Sequence, residues 1–152
     1  MKKATRLWAL VMVVALAGCQ WLVSDVTKLD LRLIAKGDLN LDDNGRPSPL
    51  VVRIIELRSA QSFDSADFFS LFTSEQATLG SDWVASEEVE LKPGDIKDLK
   101  IALQAESQLI AVLAAYRRLD QAKWRLVLPL QPAEKNQQTL LFNAQGIALA
   151  RP

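Results

Sequence analysis

The chain has 152 residues, 18 Lys+Arg against 18 Asp+Glu, one cysteine and no histidine. That length suits one domain, and 49% hydrophobic with 24% charged residues describes a folding chain rather than a disordered one. Without histidine there is no imidazole acid-base catalysis and no Ser-His or Cys-His dyad, and one cysteine excludes an internal disulfide.

Residues 1–18 read as a leader. Lys2, Lys3 and Arg6 precede the uncharged apolar run Leu7–Ala17. Eleven residues are too few for a membrane-spanning helix, which needs about 20, but match a signal-peptide core. The run ends in Leu16-Ala17-Gly18-Cys19, which resembles the bacterial lipobox. There the cysteine thiol takes a diacylglyceryl group, and cleavage before it makes Cys19 the first mature residue. Two or more acyl chains give stable anchoring, at about 0.8 kcal/mol per buried CH2. Gln20 follows where Asp would signal retention in the inner membrane, so the outer membrane is expected, with the domain in the periplasm. The leader holds three basic and no acidic residues, which leaves 15 basic against 18 acidic in the rest. That balance offers no footprint for nucleic acid and no polybasic patch for anionic lipid.

Residues 19–27 are expected to form the lipidated terminus and a short tether, and 28–152 one domain. Leu29, Leu31 and Leu33 alternate with Lys28, Asp30 and Arg32, which predicts a half-buried strand. Lys36–Pro49 is a polar loop. A second strand over about 50–58 is apolar on both faces except Arg53 and Glu56. Residues 62–80 hold four of the five phenylalanines, with 68, 71 and 72 at helical spacing, and predict a helical insertion. Ser62, Asp64 or Ser65 is the expected cap at its start, and Gly80 the stop. Its phenylalanines either pack on the sheet or line an aromatic cleft; phenylalanine lacks the polar handle usual in binding sites, which favours packing.

Further strands are expected over 84–91, 97–103, 109–116 and 124–130, with Pro129 marking an edge or an end. Thr139–Phe142 and Ile147–Leu149 flank the turn 143–146. About eight short strands with one helical insertion make a mainly β fold, a small antiparallel two-sheet β-sandwich.

Chemistry-bearing patterns are sparse. Asn40, Asp42, Asn44 and Gly45 match the start of a calcium loop, but its twelfth position is Val51, where a bidentate Glu is needed. An Asx-rich turn or a protein-binding loop fits better. Glu87 and Glu88 are adjacent and point to opposite strand faces, while Asp64 and Asp67 suit a helix N-terminus. Tyr116-Arg117-Arg118 offers an anion site as one reading, but solvated charges at a strand end fit better. No catalytic set, metal site, cofactor or small-molecule substrate is expected.

The order of lipobox, strand, polar loop, Gly45-Arg46-Pro47-Ser48-Pro49-Leu50-Val51-Val52-Arg53-Ile54-Ile55-Glu56-Leu57, Phe63, Ala66-Asp67-Phe68-Phe69-Ser70-Leu71-Phe72, Ala115-Tyr116-Arg117 and Trp124-Arg125 resembles the TssJ family, outer-membrane lipoproteins of the type VI secretion system. The likeness covers most of residues 16–130. It implies a transthyretin-like sandwich and a non-catalytic role, anchoring the secretion membrane complex by binding the periplasmic C-terminal region of TssM. It also implicates the loop between the first two strands, so Asp38, Leu39, Asn40, Leu41, Asp42, Asp43 and Asn44 are the expected partner-binding residues. Leu39 and Leu41 are expected to be free for burial in the partner, at roughly 1.5–3 kcal/mol each. Removing 38–44 is then expected to spare the fold. The alternative is a lipid-anchored glycan- or peptidoglycan-binding module, for which Trp83 and Trp124 are the stacking candidates.

Overall fold

A computed structural model describes residues 26–150. The leader and Cys19 lie outside the described residues. Eight strands form two four-stranded sheets, β4-β1-β7-β8 and β3-β2-β5-β6. They are β1 (Lys28–Ala35), β2 (Leu50–Leu57), β3 (Trp83–Leu91), β4 (Ile96–Ala102), β5 (Leu109–Ala114), β6 (Arg125–Pro129), β7 (Lys135–Asn143) and β8 (Gly146–Leu149). Each expected strand is present.

The sheets pack face to face. Leu29, Leu31 and Leu33 of β1 meet Val52 and Ile54 of β2 and Ile110 and Val112 of β5 in one core. The period of two puts these residues on one side of each strand, as the alternation in β1 requires. Glu56 ends the inner row of β2 and is 7% exposed. Its carboxylate accepts from the Ser107 hydroxyl at 2.6 Å and the Gln104 N–H at 2.9 Å, which fastens the β4–β5 loop.

The sandwich is not wholly antiparallel. β1 pairs antiparallel with β4 but parallel with β7. Alternation within each strand is the same for either direction, so side-chain pattern alone does not reveal this pairing. β7 also begins at Lys135, earlier than its apolar half suggests. The β7–β8 hairpin closes on Gly146 at φ +119°, where a Cβ would overlap the backbone of Lys123. Only glycine fits there, because the Ile147 N–H donates to the Lys123 carbonyl at 2.8 Å across the sheet boundary.

Between β2 and β3 lie three short helices, α1 (Gln61–Ser65), α2 (Phe68–Thr73) and α3 (Glu75–Leu79), and a 3-10 turn at Gly80–Asp82. Gly80 ends α3 as expected, but the expected caps differ. α1 begins at Ala60 with no side-chain cap, whereas Asp67 caps α2 by accepting from the Ser70 N–H at 3.0 Å. The insertion covers the outer face of β2 and β5. Phe63, Phe68, Leu71 and Leu79 form a second core with Ile55, Leu57, Ala111 and Leu113. That explains why β2 and β5 are apolar on both faces.

Candidate functional site

Strand direction sorts the connections between two ends. The described chain enters at Val26, beside the start of β1, together with the loops 103–108 and 130–134. At the opposite end lie loop 36–49, the 92–95 turn, the 115–124 connection and the β7–β8 turn.

Loop 36–49 is braced from within. Asp42 N–H donates to the Arg46 carbonyl, and Gly45 N–H to the Asp42 carbonyl, both at 2.9 Å. The Asp42 carboxylate accepts from the Asn44 N–H at 2.8 Å, the Arg46 N–H at 2.9 Å and Arg46 Nε at 2.8 Å. These bonds hold its pKa below the usual carboxylate range, the Arg46 backbone N–H foremost. Gly45 turns at φ +74°, which closes the tip. Asp42 Oδ1 is thus committed to the loop's own backbone, as in an Asx-rich turn, and Oδ2 to the Arg46 side chain.

The base of the loop is tied to the domain. Leu39 has no exposure and belongs to the main core. Asn40 is 4% exposed at φ 47°. Its Nδ2 donates to the Pro49 carbonyl at 2.8 Å, and its Oδ1 accepts from the Arg117 N–H at 2.9 Å. This corrects the expectation that Leu39 stands ready for a partner, and with it the expectation that loss of 38–44 spares the fold. A single leucine among polar neighbours was a peg into the core. Leu41 and Asp42 are half-buried, and Asp38, Asp43 and Asn44 are exposed.

The structure adds residues that the sequence reading left aside. Arg118 Nη2 lies 3.4 Å from the Asp43 carboxylate. Tyr116 is 4% exposed, and its buried hydroxyl has no hydrogen-bond partner among the described residues. Burial pushes its phenol far above the ordinary range; the Asn143 backbone N–H works the other way, and the Asp38 charge adds a smaller rise. Tyr116 is therefore a neutral hydroxyl at any working pH. Tyr116-Arg117-Arg118 stood out as a cluster in the sequence, but only the fold brings it to the loop.

The other candidates have structural employment. Arg53 donates to Glu88 at 2.9 Å and to the Phe72 carbonyl at 2.8 Å, and lies 4.5 Å over the Phe72 ring. Trp83 Nε1 donates to Glu75 at 2.8 Å. Trp124 packs edge-on against Phe68 at 5.4 Å. Neither tryptophan is an open stacking platform. Among the described residues no three metal-ligating side chains converge, and no helix is long and apolar enough to cross a membrane.

An eight-stranded two-sheet sandwich, helically covered on one face, with a braced loop at the end away from its N-terminal entry, defines the class. The family model described as "Type VI secretion lipoprotein, VasD, EvfM, TssJ" matches residues 27–145. The chain belongs to this family of type VI secretion lipoproteins. It is similar to the T6SS lipoprotein TssJ1 from Pseudomonas aeruginosa at 34% identity and TM-score 0.81, over 84% of this chain and 98% of that one. It is also similar to Serratia marcescens Lip, a membrane-bound component of the type VI secretion system, at 27% identity and TM-score 0.76, over 82% and 97%. A chain of the structure described as the TssM C-terminal domain from EAEC matches at 28% identity and TM-score 0.70, over 82% and 98%. No curated protein matches significantly.

Proposed function

We propose that this lipoprotein is a non-catalytic anchor. Lipid on Cys19 holds it in the outer membrane, its domain faces the periplasm, and its loop end binds the periplasmic C-terminal region of TssM. In this reading residues 1–18 are removed and 19–27 are the tether.

The observation that carries the reading is the opposition of the two ends. Val26 enters at one end, and loop 36–49 stands at the other, across strands of about eight residues. At about 3.3 Å per residue that is roughly 25 Å of separation. A domain tethered at the first end presents the second away from the membrane, toward a protein reaching across the periplasm. The similarity to a chain of the structure described as the TssM C-terminal domain supports the choice of partner.

Cys19→Ser tests the anchor. The variant is expected to fold, to leave the membrane fraction and to abolish secretion. Normal secretion by an unanchored periplasmic form would overturn the reading.

A further inference from the structure

At the loop end a cleft of about 280 Å³ is walled by Asn40, Leu41, Tyr116, Arg118, Gln121 and Gln145. It falls below the roughly 300–1,000 Å³ usual for small-molecule pockets and suits a single side chain. Two of its groups are unspent. The Tyr116 hydroxyl is buried without an acceptor among the described residues, which costs stability in the free protein. Among the described residues Arg118 is held only by Asp43, whose side chain is 98% exposed, at a distance of 3.4 Å. An ion pair that open to water contributes little and exchanges readily.

We propose that this cleft receives one carboxylate side chain of the protein partner, with the Tyr116 hydroxyl and the Arg118 guanidinium as its donors. The inference rests on the reading of this end as the TssM-binding end. Two donors without a firm acceptor select an anionic acceptor over an amide or a cation. Asp43 occupies Arg118 in the free protein, and the incoming carboxylate takes its place. Asp38 acts on Tyr116 through its charge and Asp43 pairs with Arg118, and both are exposed, where water screens them. Gln121 and Gln145, also exposed, line the same cleft.

The test uses the detergent-solubilised full-length chain and the periplasmic C-terminal domain of TssM from the same bacterium. Tyr116→Phe removes only the hydroxyl. It is expected to leave the thermal midpoint unchanged or raised while weakening TssM binding about tenfold. Arg118→Gln is expected to weaken binding by a similar factor. One Asp→Asn or Glu→Gln change in TssM is expected to weaken wild-type binding yet add nothing in the Tyr116→Phe background. Wild-type affinity in Tyr116→Phe overturns the inference, as does a loss of affinity matched by a lower midpoint or strict additivity with every acidic residue of TssM. Failure of the wild type to bind overturns the parent reading instead.

Discussion

Two long segments leave β2, one before it and one after, and they are built on opposite plans. The insertion between β2 and β3 turns nearly all its large apolar residues inward: Phe63, Phe68, Leu71 and Leu79 are buried. Three arginines of or beside the sheet then donate to its backbone carbonyls, Arg53 to Phe72, Arg125 to Phe63 and Ala66, and Arg58 to Ser81. Loop 36–49 sends one leucine into the core, clamps one asparagine, and holds an exposed tip in shape by its own hydrogen bonds. The first is a layer of the domain. The second is a preformed projection, and a projection ordered before contact loses less entropy on binding.

Substitutions sharpen that contrast in descending order. Phe63→Ala should cost about 3–5 kcal/mol, seen as a lower urea midpoint, because it opens a cavity under the helical layer. Leu39→Ala should cost about 2–5 kcal/mol by the same measurement; a change within about 0.5 kcal/mol would mean the loop base is ordinary surface. Asn40→Ala should cost about 1–3 kcal/mol, since it leaves the Arg117 N–H and the Pro49 carbonyl without partners. Phe69→Ala, at a ring 68% exposed, should change stability by less than about 0.5 kcal/mol and leave TssM affinity unchanged. Lost affinity there would move the interface to the insertion.

Acid separates the two segments in another way. The Asp42 pKa is lowered in the folded loop, so its contribution is complete above the unfolded carboxylate value of about 3.9. It is lost as pH falls through the lower folded value. The amide resonances of Asn44 and Arg46 should therefore hold their shifts down to that range and move below it, while the core amides stay put. Movement already near pH 5 would show that the carboxylate does not brace the tip.

Much of the fold was legible because burial writes itself into side-chain period. β1 shows one wet face by alternation, β5 shows two dry ones by a continuous apolar run, and β2 does the same but for Arg53 and Glu56. The insertion was legible as phenylalanines at helical spacing. The parallel β1–β7 pairing was not, because it concerns strand direction. The role of Leu39 was not, because Leu39 and Leu41 look alike in the sequence and only the fold buries the first fully. The Asn40–Arg117 bond joins residues 77 apart, and no local pattern announces it.

The most direct measurement is a calorimetric titration of the TssM periplasmic domain into the lipid-free chain from residue 20 onward. It is run on the wild type and on a tip variant carrying Leu41→Ser and Asn44→Ala. The account predicts saturable wild-type binding, and at least tenfold weaker binding by the variant at an unchanged urea midpoint. Equal affinity of the two would contradict the loop end as the binding end, and no binding by a folded wild type would contradict the anchor itself.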